Sequence, residues 1–251
     1  MEQMDRILER MNLTRNDLNN LDPNLIQEMF LDLSVSEISI LCRISKSFDA
    51  VCQRESLWQN KVWIDYGVDK KYGETWRETA KLLSEVNMIN LNKKWINGET
   101  YKQILTKAWN KRKEGLKYLI TLQVNAFYDV IPDRDLAVKL QYINLGPADE
   151  ETIREVVKDN IYDIDREFTD DDFDRFLEIR SKEFSILFAT LTVLAQSYPL
   201  LPSQSYRSYG IEIKSVFLSI IKLIDPIPYI MQFSVLSRED IEELNFGLDE
   251  I

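Results

Sequence analysis

The chain has 251 residues, a formal net charge of −11, no histidine and only 7 glycines. These values exclude Ser-His-Asp and Cys-His relays and histidine-ligated metals, and the 2 cysteines are too few for a four-cysteine zinc site. Scarce glycine, with no GxGxxG or GxxxxGK[ST] motif, argues against a loop that cradles phosphate. The composition therefore favours a binding protein that has no enzyme activity, no cofactor and no metal.

A hydrophobic content of 45% with 29% charged residues is typical of a globular protein. The N-terminus lacks a secretory apolar region, and the longest apolar run, residues 184–198, falls short of the roughly 20 residues of a membrane span. Cys42 and Cys52 are expected to be two separate buried thiols. We therefore expect an intracellular protein, cytoplasmic or nuclear, that does not bind a membrane.

Residues 1–20 contain an amphipathic helix, and residues 21–67 carry signals for three short helices. Asp22 is a plausible N-cap and Pro23 suits the first helical position, where no N–H donor is needed. Ser34-Val35-Ser36-Glu37 forms a capping box that opens a second helix, whose apolar stripe continues to Val51. A third helix is predicted to end at Gly67, which supplies a left-handed cap.

Residues 68–251 predict a helical C-terminal region, which makes the fold mainly α. Helices are expected over 74–86 and 99–113, from about residue 149, from about 172 to 197, and from Ser237. Residues 211–224 are apolar and are expected to be buried. Residues 116–143 fit either a helix or a short β-hairpin, because alternating and helical apolar spacings both occur there. We treat 68–251 as the region that holds a substrate or partner.

An acidic segment, residues 149–183, carries 14 acids and 6 bases. Its aspartates suggest a calcium site at first sight: Asp163, Asp165, Asp170, Asp171, Asp172 and Asp174. No glycine stands among them for the sharp turn of a calcium loop, so capping and a solvated acidic face are the favoured interpretation.

A basic segment, residues 93–117, has 8 bases and 2 acids, with Trp95, Tyr101 and Trp109 interleaved. Basic residues with aromatic residues suggest a nucleic-acid surface. Tyr101 and Trp109 lie on the apolar stripe of a predicted helix, however, which favours core positions for them. The net charge of −11 also disfavours nucleic acid. An internal contact with the acidic segment stays open as a third interpretation.

Residues 21–67 resemble an F-box, in the style of F-box-like proteins encoded by large DNA viruses of eukaryotes. The matching positions follow the family order: Leu21, Pro23, Leu25, Ile26, Met29, Phe30, Leu33, Ile38, Leu41, Cys42, Lys46, Ser47, Phe48, Cys52, Leu57 and Trp58. The chain departs from the family pattern in two places, since the proline comes one residue late and Asn24 replaces an acid.

The resemblance implies an adaptor that docks on the Skp subunit of a cullin-RING ubiquitin ligase and presents an unknown protein substrate. Helix-in-groove docking of this kind uses apolar anchors at helical spacing. The candidate anchors are Leu21, Pro23, Leu25, Ile26, Phe30, Leu41, Leu57 and Trp58. The alternative is a non-enzymatic structural or interaction protein of a virus, with a degenerate F-box-like fold and no ligase role.

Overall fold

The computed structural model describes residues 2–11, 13–14, 21–143, 149–165, 167–197, 225–238, 240, 241 and 243. The chain divides into two compact units, Met1–Asn92 and Lys93–Ile251. No β-strand occurs among the described residues, where an isolated bridge joins Lys94 to Thr100. The prediction of a mainly α fold is confirmed.

The N-terminal unit is helical over its described residues. They are α1 (Glu2–Arg10), α2 (Pro23–Leu31), α3 (Val35–Leu41), α4 (Lys46–Cys52), α5 (Glu55–Tyr66) and α6 (Trp76–Glu85). Asp22 caps α2 by accepting a hydrogen bond from the backbone N–H of Asn24, with Pro23 in the first turn. Ser34 and Glu37 form the predicted capping box of α3, and Gly67 ends α5 at φ +69°. These local signals were sufficient to predict the helix ends, because each acts within one helical turn.

The predicted three-helix arrangement of residues 21–67 is wrong in one respect, because the second helix is two helices. Ser45 is the N-cap of α4, and its hydroxyl accepts a hydrogen bond from the backbone N–H of Phe48. A new helix therefore begins after it. The apolar stripe continues across this break, since Leu41, Phe48 and Val51 are all fully buried. Periodicity alone therefore did not reveal the interruption.

The N-terminal unit extends to Asn92, whereas the sequence indicated a division at Gly67. Helix α6 packs along α5 and also contacts α3, and the N–H of Leu91 donates to the carbonyl of Tyr66. At the other end α1 packs on α3, with Ile7 and Leu8 buried. The F-box-like segment is thus the middle of a larger core.

Cys42 and Cys52 form a disulfide, which corrects the expectation of two separate thiols. Their Cα atoms are 6.0 Å apart, at the C-terminal ends of α3 and α4. Both cysteines are buried, so the bond crosslinks the interior of the N-terminal unit. Spacing alone did not reveal this pairing, because it follows from the turn at Ser45 that brings the two helix ends together.

The C-terminal unit is also helical over its described residues. It contains α7 (Tyr101–Asn110), a 3₁₀ turn (Arg112–Glu114), α8 (Gly115–Val130), α9 (Arg134–Tyr142), α10 (Glu150–Asn160), α11 (Asp170–Ile179), α12 (Lys182–Ser197) and α13 (Ile227–Ser234). The predicted helix at 99–113 corresponds to α7, and the predicted start near 149 to α10, capped by Asp149. The predicted buried segment 211–224 lies outside the described residues.

The β-hairpin interpretation of residues 116–143 is wrong, because this stretch forms α8 and α9. Leu119, Ala126 and Phe127 are buried on one side of α8, at the spacing of a helix face. The apparent alternation arose because Ile120 and Val124, at the border of that face, are apolar although they are partly exposed.

The single helix predicted from about 172 to 197 is also two helices, α11 and α12. Between them the Arg180 guanidinium donates to the carbonyls of Gln141 and Ile143, and the Ser181 hydroxyl accepts from the N–H of Phe184. Long-range hydrogen bonds to the C-terminal end of α9 therefore stabilise the interruption between α11 and α12.

Candidate partner-binding surface

The start of α2 exposes apolar side chains. Pro23 is exposed, 46% of Leu25 is accessible to solvent, and Leu21 is half-buried directly before the cap residue Asp22. Leu21 precedes the helix, whereas Leu25 lies in its first turn, so the two leucines stand on either side of the cap residue along the chain. We call Leu21, Pro23 and Leu25 the α2 edge. It is the part of the predicted anchor set that remains available to a partner.

The other five predicted anchors lie in the core of the N-terminal unit. They are Ile26, Phe30, Leu41, Leu57 and Trp58, each at most 1% exposed. The Phe30 ring meets the Phe48 ring edge-on with centroids 5.4 Å apart. The Trp58 indole N–H donates to the carbonyl of Cys52 at 2.7 Å. These side chains hold the helices that carry the α2 edge, and they do not themselves face solvent.

A buried lysine, which sequence reasoning missed, joins α2 to α5. Lys61 is 3% exposed, and its ammonium donates to the carbonyl of Leu31 at 2.8 Å and to the Asp65 carboxylate at 2.9 Å. Burial raises the pKa of the Asp65 carboxyl, and the hydrogen bond from Lys61 offsets this only in part. The ammonium thus satisfies a carbonyl in the last turn of α2 and fixes the orientation of that helix.

The N-terminus of α3 is held by a second polar cluster. Glu37 accepts from the Ser34 N–H at 2.8 Å and pairs with the Arg10 guanidinium of α1 at 2.8 Å. Burial alone raises the pKa of Glu37, but the hydrogen bonds from Ser34 and Arg10 outweigh it and bring the pKa below 4.5. Ionised Glu37 therefore ties α1 to the helix whose end carries Cys42.

More apolar side chains outside the predicted set are exposed on the N-terminal unit. Trp63 and Ile64 on α5 are 45% and 44% exposed, and Leu82 on α6 is 38% exposed. A helical wheel could have identified the first two, because they lie opposite Trp58 and Val62, which are buried. Leu82 provides an exposed leucine outside the α2 edge, which makes it useful as a control.

Comparison with known proteins finds no matching family model, no matching curated protein and no matching solved structure. The functional argument for this chain therefore rests on its own residues. Among the helices of the described residues, none combines the length and the apolar character needed to cross a membrane.

The aspartates of the acidic segment take different structural roles. Asp172 closes the capping box of α11 with Thr169, and Asp170 pairs with Arg154 at 2.7 Å. Asp163 pairs with Lys139 beside a cleft of about 400 Å³ that also contains Asp133 and Asp165. Over the described ranges, no group of three acidic or cysteine side chains is arranged to hold a metal ion.

Two of the three aromatic residues of the basic segment, Trp95 and Tyr101, form part of the core, whereas Trp109, for which a core position was expected, is only partly buried. Trp95 and Tyr101 are 2% and 1% exposed. The Trp95 indole donates to the carbonyl of Glu178 and stacks on Phe184, and the Tyr101 hydroxyl bonds the Ser181 hydroxyl. Burial raises the pKa of Tyr101 far above its usual value. These two rings are therefore not available to stack on nucleic-acid bases.

One of the alternatives for the basic segment, an internal contact with the acidic segment, is present and includes an ion pair. The Lys93 ammonium lies 2.6 Å from the carboxylate of Glu183. Most of the remaining bases are at the surface, where Lys107 pairs with Glu99 and Lys117 with Glu114.

Proposed function

We propose that this chain is an F-box-like adaptor that docks on the Skp subunit of a cullin-RING ubiquitin ligase, with the C-terminal unit holding a protein substrate. The observation that supports this most is the exposed α2 edge at the position where the resemblance puts the first adaptor contacts. An exposed proline and leucine at the start of a capped helix are suited to insertion into an apolar groove. This role requires no catalysis from the chain, because ubiquitin transfer takes place on other subunits.

The attachment of α2 supports the same proposal. Phe30 anchors the helix in the core, and Lys61 binds its last turn. A surface whose backbone is already fixed loses little conformational entropy when a partner binds. The α2 edge therefore has the rigidity that a small docking site needs.

A second candidate function is an interaction protein with an F-box-like fold and no ligase role. The Cys42–Cys52 disulfide favours it, because disulfides are rare in the reducing cytoplasm and nucleus where the ligase works. The first proposal requires that burial protects this bond, since thiol–disulfide exchange depends on access to a sulfur atom.

The two candidates are separated by a pull-down of purified Skp adaptor with the full chain, followed by addition of the cullin. We expect the wild type to bind both, and Leu25→Glu to lose binding by at least about tenfold. Leu82→Glu is the matched control, because it places the same charge at another exposed leucine of the same unit. Failure of the folded wild type to bind Skp excludes the ligase role, and Skp binding without cullin recruitment favours the second candidate.

A further inference from the structure

Helix α8 carries apolar side chains on its solvent side as well as on its core side. It packs on α7, α9, α11 and α12 through its buried face. Beside that face, toward solvent, Ile120 is 51% exposed, Tyr128 is 42% exposed, and Val124 between them is partly exposed. Positions 120, 124 and 128 are separated by four residues each, so they form one continuous stripe. We call Ile120, Val124 and Tyr128 the α8 stripe.

Positive charge is concentrated at the N-terminal end of this stripe. Lys117 continues it by one turn and is 80% exposed, and Lys111 and Arg112 are exposed in the turn directly before α8. The Lys111 ammonium lies 5.3 Å from the centre of the Tyr118 ring, which places it beside the first turn of α8. Glu114 faces Lys117 at 3.9 Å, so it neutralises only part of this cluster.

We infer that the α8 stripe and its basic end bind an acidic amphipathic helix of a partner protein. The apolar face of the partner covers Ile120, Val124 and Tyr128, and its carboxylates lie over Lys111, Arg112 and Lys117. From Lys117 to Tyr128 the surface is about 17 Å long, which matches about three helical turns. Charge complementarity decides the class of partner, because the lysine and arginine side chains attract acidic residues and repel basic ones.

A nucleic-acid strand fits this surface less well than an acidic helix. Buried Trp95 and Tyr101 offer no stacking platform, and the α8 stripe is mainly aliphatic. The overall charge of −11 also repels a polyanion at long range, whereas a short acidic helix meets mainly the local basic cluster. The inference does not depend on the proposed ligase role; under that role, this surface is where the substrate binds.

The test uses the purified full chain and labelled helical peptides of about 16 residues. All peptides share one leucine stripe, and their polar faces consist of glutamate, glutamine or lysine. Fluorescence anisotropy is expected to show the glutamate peptide binding at least about tenfold more tightly than the other two, with affinity falling as salt rises from about 0.05 M to about 0.5 M. Equal binding of the glutamate and glutamine peptides, or no binding of any peptide, overturns the inference.

Variants locate the site on the molecule. Ile120→Ser, Tyr128→Ser and Lys117→Gln are each expected to weaken the glutamate peptide several-fold, and all three positions are exposed, so the fold is retained. Val235→Ser is the matched control, because Val235 is 63% exposed in the same unit. Equal loss in the control contradicts the inference. Displacement of the peptide by oligothymidine, with the same sensitivity to Lys117→Gln, identifies a nucleic-acid surface instead.

The readouts for the two sites are separate. Skp capture responds to Leu25 and peptide binding responds to Ile120, so loss of one leaves the other measurable. A chain that binds the glutamate peptide but not Skp refutes the ligase proposal alone, and the reverse result refutes the α8 inference alone.

Discussion

The ammonium of Lys61 lies 2.8 Å from the carbonyl oxygen of Leu31, so α5 supplies a hydrogen-bond donor to the C-terminal end of α2. A carbonyl in the last turn of a helix has no intrahelical donor and needs another partner. Lys61 fulfils this role from the core, with its charge balanced by Asp65 one turn further along α5. The polar contact therefore fixes the helix that presents Leu25.

Lys61→Met is expected to lower the free energy of unfolding by about 2 kcal/mol, because both hydrogen bonds are lost while the aliphatic volume is kept. Lys81→Met on α6 is the control: Lys81 is 70% exposed and pairs with Glu85 at 3.6 Å, so its loss costs less than about 0.5 kcal/mol. Urea unfolding of the full chain measures both. Equal effects of the two substitutions contradict a fixing role for Lys61.

Gly67→Ala is expected to destabilise the N-terminal unit by about 2 kcal/mol. The residue has φ +69°, and an added Cβ would lie 2.9 Å from the backbone nitrogen of Asn92. Gly98→Ala separates the cost of the left-handed backbone from the cost of the close contact with Asn92. Gly98 has φ +84°, but no atom lies within 4 Å of an added Cβ there. Thermal unfolding should show a cost of only about 1 kcal/mol there. A larger loss at Gly98 than at Gly67 would mean that the Asn92 contact is unimportant.

Local signals in the sequence predicted the caps of the N-terminal unit, but they did not separate core anchors from surface anchors. Asp22, Ser34 and Gly67 act within one turn, so their roles follow from residue type and spacing. Leu25 and Ile26 are neighbours of the same chemistry, yet one is 46% exposed and the other is fully buried. The difference arises from the packing of α2 against α4 and α5, which involves residues about 20 to 30 positions away.

Reduction of the Cys42–Cys52 disulfide is expected to lower the stability of the N-terminal unit by about 2.5 kcal/mol. The bond closes a short ring, with a sequence separation of 10, and so removes conformational freedom from the unfolded chain. Unfolding with and without a dithiol reductant measures the effect, and the chain carrying Cys42→Ala and Cys52→Ala should not respond to the reductant. Mass spectrometry after alkylation of the unreduced, denatured chain checks the bond directly; two alkylated cysteines contradict it.

The stability of the N-terminal unit should fall as pH is lowered through the pKa of Glu37. That pKa is depressed in the folded chain, so ionised Glu37 contributes stability above the unfolded value near 4.5, and this contribution is lost as pH falls through the folded pKa. Glu37→Gln should lower the free energy of unfolding by about 0.5–1 kcal/mol at neutral pH. It should also flatten the pH dependence of that free energy below pH ~4.5. Glu28→Gln, at an exposed position of α2, is the control for loss of one negative charge. If the free energy of unfolding of Glu37→Gln falls with pH as steeply as that of the wild type, Glu37 is not the group responsible.

Thr79→Val and Thr190→Val should have opposite effects, although both threonines are fully buried. The Thr79 hydroxyl donates to the carbonyl of Thr75 and accepts from the N–H groups of Tyr72 and Gly73. Within the described part of the chain, the Thr190 hydroxyl has no hydrogen-bond partner. Valine has the same shape without the hydroxyl, so only the polar contribution changes.

Thr79→Val should therefore lower the free energy of unfolding by about 2 kcal/mol, because the partly buried N–H groups of Tyr72 and Gly73 lose their acceptor. Thr190→Val should be neutral or stabilising by up to about 1 kcal/mol, since it removes a buried polar group that no bond compensates. Calorimetric unfolding of the two variants beside the wild type measures both changes. Clear destabilisation by Thr190→Val would show that a water molecule or a neighbouring group satisfies this hydroxyl in solution.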